Sequence, residues 1–356
     1  MNKISVLFPT KKITLMYTMY PFWVSKKVNQ FDFFTDLDNL LRKDKNDVLI
    51  IVGWFHGKSL VDQHISVLEK LNNKYRKVVY FDDNDGSESH YLHFLPYFHL
   101  YYKKQVFKDQ ELYKQNFYGN RIFTDYYHTH MGITESPLPD PLPVLKNSED
   151  LKKIRLSWNL AFGQYPASKR RFRIGKMLFP FFGPTVMDLI SPRFPKGNVP
   201  SPKLVKCQAR FSSKHYRPSV GFQRKLFLEQ IADNSNFLSG LIPLTEYNKE
   251  VKEVQAILSP FGWGEICFRD IEAFLSGAVL VKPDVGHIDT WPNIFLPEET
   301  YVPVLWDGSD VTKTVDELLA DSRRMDRIKN NAWLKLKNAY ADLDRRFESI
   351  LEEIRS

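Results

Sequence analysis

The residues best placed to do chemistry fall in one run, Phe261-Gly262-Trp263-Gly264-Glu265-Ile266-Cys267-Phe268-Arg269-Asp270-Ile271-Glu272-Ala273-Phe274-Leu275-Ser276-Gly277, which continues into Ala278-Val279-Leu280-Val281-Lys282-Pro283. Glycines open a helix, Gly277 closes it, and the small and β-branched run behind it predicts a buried strand. At about 100° per residue, positions 265, 269, 272 and 276 share one polar stripe, with Cys267, Ile271 and Phe274 on the opposite face. Such a helix presents two carboxylates, a guanidinium and a hydroxyl beside a glycine loop. Its N-terminal N–H groups and positive dipole end favour an anion such as a diphosphate, and carboxylates suit sugar or ribose hydroxyls. The same spacing of Glu265 and Arg269 also makes an ordinary i,i+4 surface pair.

The elements that must position this run read as two α/β halves. The length, 356 residues, predicts two domains, 1–195 and 196–356. In the first, 13–17, 47–52 and 77–81 read as strands with an amphipathic helix over 59–72, an alternation that implies a parallel sheet with crossover helices. Further strands are expected over 98–106, 121–126 and 154–160. Two loops, 53–58 and 82–87, then sit at carboxyl ends of strands, where open α/β sheets bind ligands. The proline-rich stretch 191–202 reads as a hinge. Beyond it, 204–210 and 256–259 read as strands, 219–233 and 246–254 as helices, and 310–321 and 324–353 as terminal helices, the last long and charged.

Composition narrows the class. No apolar run reaches the ~20 residues that span a bilayer, and no basic segment leads into an apolar one at the N-terminus, so the chain reads as cytoplasmic. Cys207 and Cys267 are too few for a disulfide framework and lack metal-ligand spacing. The net charge of +8 is uneven: between Lys169 and Leu228 fourteen Lys and Arg face the single acid Asp188, a local charge of +13 that leaves −5 elsewhere. A field of this kind implies an anionic partner, whether nucleotide phosphates, lipid headgroups or nucleic acid.

The segment Phe268-Arg269-Asp270-Ile271-Glu272-Ala273, followed by Gly277 and an apolar strand, resembles the donor-binding element of GT-B glycosyltransferases. The match covers 204–340 in element order and is sharp over 259–283. It implies two Rossmann-like domains facing a central cleft, with the acceptor held by the N-terminal domain and a nucleotide-sugar by the C-terminal one. Glu272 falls where such families hold the ribose, and Gly262 and Gly264 lie in the loop that meets the donor diphosphate and sugar. Retaining members of the best-known families carry two glutamates with seven residues between them. Glu265 and Glu272 have six between them and Gly264 takes the first glutamate's place, which weakens Glu265 as a donor-sugar contact and leaves retention or inversion open.

The resemblance further implies that cations from the loop 211–219 and the helix behind it, Arg217, Arg224 and Lys225, neutralise the leaving diphosphate without a metal cofactor. An inverting transfer also needs a base for the acceptor hydroxyl. Asp83 and Asp85 are the acceptor-side candidates, with Asp82 and His90 in the same loop and His56 in the other crevice loop; Asp-Asn-Asp-Gly is equally plain turn chemistry. His287 and Trp291, in the loop after the signature strand, are candidates for base or sugar contact. The basic-then-apolar segment 168–190 is suited either to an anionic membrane surface or to a buried connector between domains. The expected function is transfer of a sugar to a glycan or glycolipid in surface polysaccharide or lipopolysaccharide assembly at the inner membrane face. The alternatives are a basic nucleic-acid-binding protein, which lacks any recognised module signature, and a non-catalytic glycan or nucleotide binder of the same fold.

Overall fold

The structure, a computed structural model, describes residues 3–9, 15–54, 61–88, 91–160 and 165–356. His56 and His90 lie outside the described residues. Strands β1 (Ile4–Leu7), β2 (Phe31–Phe34), β3 (Val48–Val52), β4 (Lys77–Asp82), β5 (Leu100–Lys103), β6 (Gln105–Phe107) and β7 (Ile154–Leu156) belong to the N-terminal half. All but β6 form one parallel sheet in the order β2-β1-β3-β4-β5-β7. Every residue of β1 and β3 is buried, as a strand covered on both faces requires. The helix Val61–Lys74 makes the crossover from β3 to β4.

The C-terminal half carries β8 (Leu204–Ala209), β9 (Phe237–Ser239), β10 (Val254–Leu258), β11 (Val279–Pro283), β12 (Ile288–Thr290) and β13 (Val302–Val304). Its sheet is again parallel, ordered β13-β11-β10-β8-β9. The strand order reverses between β8 and β10, so the loops leaving those two strands splay apart and open a crevice at their carboxyl ends. The fold is therefore two Rossmann-like α/β domains facing one cleft, as the GT-B resemblance implies.

Several features depart from expectation, among them the strand expected over 98–106, which divides into β5 and β6 in different sheets. The segment around 13–17 holds no described strand: residues Leu15–Thr18 are helical, and the first strand lies earlier at β1. Residues Ile122–Met131 form a helix where 121–126 read as a strand, because Phe123, Thr124 and Tyr127 share one face that packs on the C-terminal half. The long terminal helix is broken at Asp342 into Ser322–Ala341 and Leu343–Arg355, and the second piece returns to the N-terminal sheet. There Phe347 packs among Phe22, Phe31 and Trp158, while Glu353 accepts from Tyr102 (2.5 Å) and Arg155 (2.6 Å). Leu343–Arg355 thus packs on the N-terminal half.

The two halves are also joined across the cleft's base. Strand β6 of the first half pairs antiparallel with β12 of the second, Val106 opposite Asp289. Helix Ile122–Met131 lies on helix Pro218–Gln230, with Thr124 and Ser219 hydroxyls 2.9 Å apart and Gln223 donating to the Tyr127 hydroxyl at 2.7 Å. Residues 192–203 carry no helix or strand, consistent with the proline-rich connector.

Candidate functional site

The site's C-terminal wall grows from the loop after β10. Its helix, Phe268–Ser276, starts at the extended N-cap Cys267 and ends at Gly277, whose φ of +74° is the left-handed closure that favours glycine. Asp270 accepts from the Cys267 N–H at 3.0 Å and pairs with Lys282 of β11 at 3.2 Å, both side chains fully buried. That pair fixes the helix start against the sheet. Gly264 faces the other domain so closely that a β-carbon there would overlap the carbonyl of Asp85. Glycine at 264 is thus a condition of the cleft's shape.

Between the walls lies a cleft of about 350 Å³. Gly262, Gly264, Arg269 and Glu272 line it from the signature unit, Tyr216 and Arg224 from the segment after β8, and Tyr247 from the helix Leu244–Glu250. Arg224 is buried, which pushes its pKa down. It donates to the carbonyls of Phe261 (2.9 Å) and Ser212 (3.1 Å), and its guanidinium lies 4.1 Å from the centre of the Tyr216 ring. No carboxylate pairs with it among the described residues. Carbonyls and a ring face orient the cation without cancelling its charge. Arg269 sits 5.6 Å over Phe211, its Nε buried and without a hydrogen-bond partner among the described residues. Burial opposes its charge, but Tyr247, Cys267, Glu272 and Asp270 outweigh burial and raise its pKa. One turn along, Glu272 accepts from the Tyr247 hydroxyl at 2.9 Å, and burial with the Glu272 charge pushes that phenol up to about 12.

The N-terminal wall comes from the carboxyl ends of β4, β5 and β7, with Asp85, Lys104 and Asn159 in the segments that follow them and Gln105 at the start of β6, together with Tyr17. Lys104 lies 3.3 Å from Asp85 and 3.5 Å from Asp83. Burial works against its charge, and the two carboxylates outweigh it and raise the pKa. Gln105 donates to the Asp85 carbonyl at 2.8 Å and accepts from Asn159 at 2.8 Å. The Asp85 carboxylate reaches solvent, its side chain half exposed. Asp83 is buried, accepts from the Thr18 hydroxyl, and does not line the cleft.

Several expected site residues lie elsewhere. Glu265 precedes the helix instead of lying on its stripe, and it turns beneath the cleft, fully buried. There it accepts from Ser87 through N–H (3.1 Å) and hydroxyl and from Gln105 at 2.9 Å, with His287 Nε2 3.6 Å away. Burial alone would raise its pKa, but His287, Ser87 and Arg121 hold it down at about 2. Burial and the Glu265 charge raise neighbouring Glu88. Both Glu265 and His287 therefore clasp the domains together, His287 packed between Phe107 and Trp306. Arg217 also bridges domains, pairing with Glu135 at 2.9 Å. Lys225 points outward on the helix Pro218–Gln230, 3.4 Å from Glu229. Trp291 lies 6.0 Å from the Arg346 guanidinium, and its carbonyl accepts from Asn159 N–H. Neither it nor His287 lines the cleft. Conversely, Tyr216, Tyr247, Lys104, Gln105 and Asn159 line the cleft and were not singled out as site residues from sequence. Lys104 and Gln105 fall inside the strand expected over 98–106, and only the break between β5 and β6 turns them to the cleft.

Among the described residues no three His, Cys, Asp or Glu converge as metal ligands would, and no helix is long and apolar enough to cross a membrane. No protein-family model matches the chain, and no curated protein matches it. Solved structures do align with nearly its whole length. HepE (Alr3699) of Anabaena in complex with UDP aligns at 9% identity and a TM-score of 0.48, covering 99% of this chain and 100% of that one. The β-glucosyltransferase of phage T4 aligns at 14% and 0.44, covering 99% of each. A glycosyltransferase from Rickettsia africae aligns at 10% and 0.46, covering 100% of this chain and 99% of that one. The T4 and Rickettsia structures are glycosyltransferases and the HepE structure holds UDP, and at these identities and TM-scores they assign no residue and no activity to this chain.

Proposed function

We propose that the chain is a GT-B-type glycosyltransferase that moves a sugar from a nucleotide-sugar donor, held on the C-terminal wall, to a glycan or glycolipid acceptor on the N-terminal wall. The observation that carries this reading is Arg224: a buried guanidinium with no carboxylate partner among the described residues, lining a cleft beside a glycine loop and a helix N-terminus. A buried cation without a counter-ion is costly unless an anion arrives. A departing nucleoside diphosphate is such an anion, its growing charge stabilised by the preorganised Arg224 and Arg269, so that no divalent cofactor is required. Glu272, held by Tyr247, takes the ribose hydroxyls. Asp85 receives the acceptor proton, and Lys104, 3.3 Å away, holds that carboxylate in place. Surface polysaccharide or lipopolysaccharide assembly is the setting that suits such an acceptor.

The test is a thermal-shift series with UDP, GDP, ADP, CMP and dTDP, with EDTA and with added magnesium. One nucleotide should raise the melting temperature of the wild type without metal, and Glu272→Ala should lose that shift. At a hundredfold excess over Kd the stabilisation is about 2.7 kcal/mol. No shift with any nucleotide in either condition sinks the donor-site assignment. A shift with no sugar transfer or donor hydrolysis leaves a nucleotide-binding protein and sinks the enzymatic part.

A further inference from the structure

Residues Tyr165–Phe182 and Pro184–Ile190 form a helical hairpin that roots on the N-terminal wall, and nothing in the cleft chemistry uses it. One side of the long helix is buried: Phe172 stacks on Trp23 and Phe179 packs on Phe8. The other side is apolar and bare. Phe181 is 80% exposed, Leu189 79%, Met177 66%, Phe182 62% and Ile174 46%. At about 100° per residue Ile174, Met177 and Phe181 fall within roughly 60° of one another, so the exposure is one stripe and not scatter. Arg170, Arg171 and Arg173, on the turns before that stripe, are exposed, and none of them is ion-paired among the described residues.

We propose that this hairpin docks the protein on an anionic phospholipid surface, with Met177, Phe181, Phe182 and Leu189 entering the interface and Arg170, Arg171 and Arg173 meeting headgroup phosphates. An amphipathic helix with aromatic and aliphatic side chains on one face and arginines at its edge has the composition that an interfacial position demands. Two alternatives fit the surface less well. A twofold contact between copies through the stripe would bring the same arginines of both copies together without counter-ions. A nucleic acid would engage the arginines and leave the four apolar side chains in water. The hairpin's position adds a consequence: Tyr17 lines both the cleft and a small cavity that it shares with Phe172 and Met187, so the docked surface sits next to the N-terminal wall. Under the transfer proposed above, this points to a membrane-anchored acceptor. Docking itself does not depend on that reading.

The experiment is cosedimentation of the full chain with vesicles of phosphatidylcholine alone and with about one-third phosphatidylglycerol, alongside light scattering without lipid. The wild type should pellet with the anionic vesicles, stay in solution with neutral ones, and be released by high salt. Arg170→Ala with Arg173→Ala should weaken partitioning about fivefold for each cation removed. Phe181→Glu with Leu189→Glu should abolish it. All these side chains are exposed, so melting temperatures and nucleotide-induced shifts should not change, which separates this outcome from failure of the donor site. The proposal is overturned if the wild type remains in solution with both vesicle types, or if the Phe181/Leu189 variant binds anionic vesicles as tightly as the wild type. It is equally overturned if the wild type is a dimer that Phe181→Glu dissolves.

Discussion

The two walls of the cleft hold their cations in opposite ways. On the C-terminal wall, Arg224 is fixed by carbonyls and a tyrosine face and keeps its charge available. On the N-terminal wall, Lys104 sits between Asp83 and Asp85, so its charge is matched within the protein. A cation anchored by neutral groups is prepared for an incoming anion, whereas a cation between two carboxylates is matched by them and positions the one at the cleft surface. Under the proposed function, the difference suits an anionic ligand on one wall and a neutral, proton-donating one on the other.

The largest expected effect sharpens this contrast from the N-terminal side. Asp85→Asn keeps the side chain's size and removes its basicity, so transfer should fall about a hundred- to ten-thousandfold while the nucleotide-induced thermal shift is unchanged. A loss of nucleotide binding in that variant would break the division between walls. Next, Arg224→Met, which retains bulk over Tyr216, should cost about a hundred- to a thousandfold in transfer and also lose the thermal shift. Retention of the shift would mean that the anion is held elsewhere.

A smaller effect concerns the clasp below the walls. The Glu265 pKa is about 2 in the folded protein, below its ordinary value, so its carboxylate stabilises the joined domains above about pH 4.5. That contribution disappears as pH falls from there towards 2. Glu265→Gln should therefore lower the melting temperature at pH 7 and reduce its decline between pH 5 and 3, measured by calorimetry. An unchanged acid profile would show that Glu265 does not titrate as a clasp. The smallest effect is expected at Lys225→Ala: an exposed i,i+4 pair with Glu229 contributes at most about 0.5 kcal/mol, and neither binding nor transfer should change. A tenfold loss of transfer would return Lys225 to the donor wall.

Much of the C-terminal half was legible because its signals are local. The apolar run at 279–283, the left-handed Gly277 and the glycine loop each report on a few adjacent residues, and strand and helix form where they indicate. The N-terminal half misled where short apolar runs lacked length. Ile122-Phe123-Thr124 carries β-branched and aromatic residues that suit a strand, and only the longer spacing Phe123, Tyr127, Met131 shows the helical period. Glu265 was misplaced for a related reason. Its spacing to Arg269 and Glu272 is helical, but the helix begins after it, at Phe268, and a turn outside the helix sends the side chain to the other domain.

The sequence by itself determined the parallel α/β character, the proline-rich connector, the glycine loop and the placement of Arg269 and Glu272 on one helix face, the face that lines the cleft. These depend on periodicity, caps and backbone freedom, which act over a turn or a strand. Only the tertiary structure decided which charges remain available. Arg217 meets Glu135, Lys104 meets Asp83 and Asp85, and Glu265 meets Ser87 from 178 positions away, while Arg224 meets no acid among the described residues. Whether a charge is matched or left for a ligand depends on groups within a few ångströms in space, and that proximity is set by how the two sheets face each other and not by any spacing along the chain.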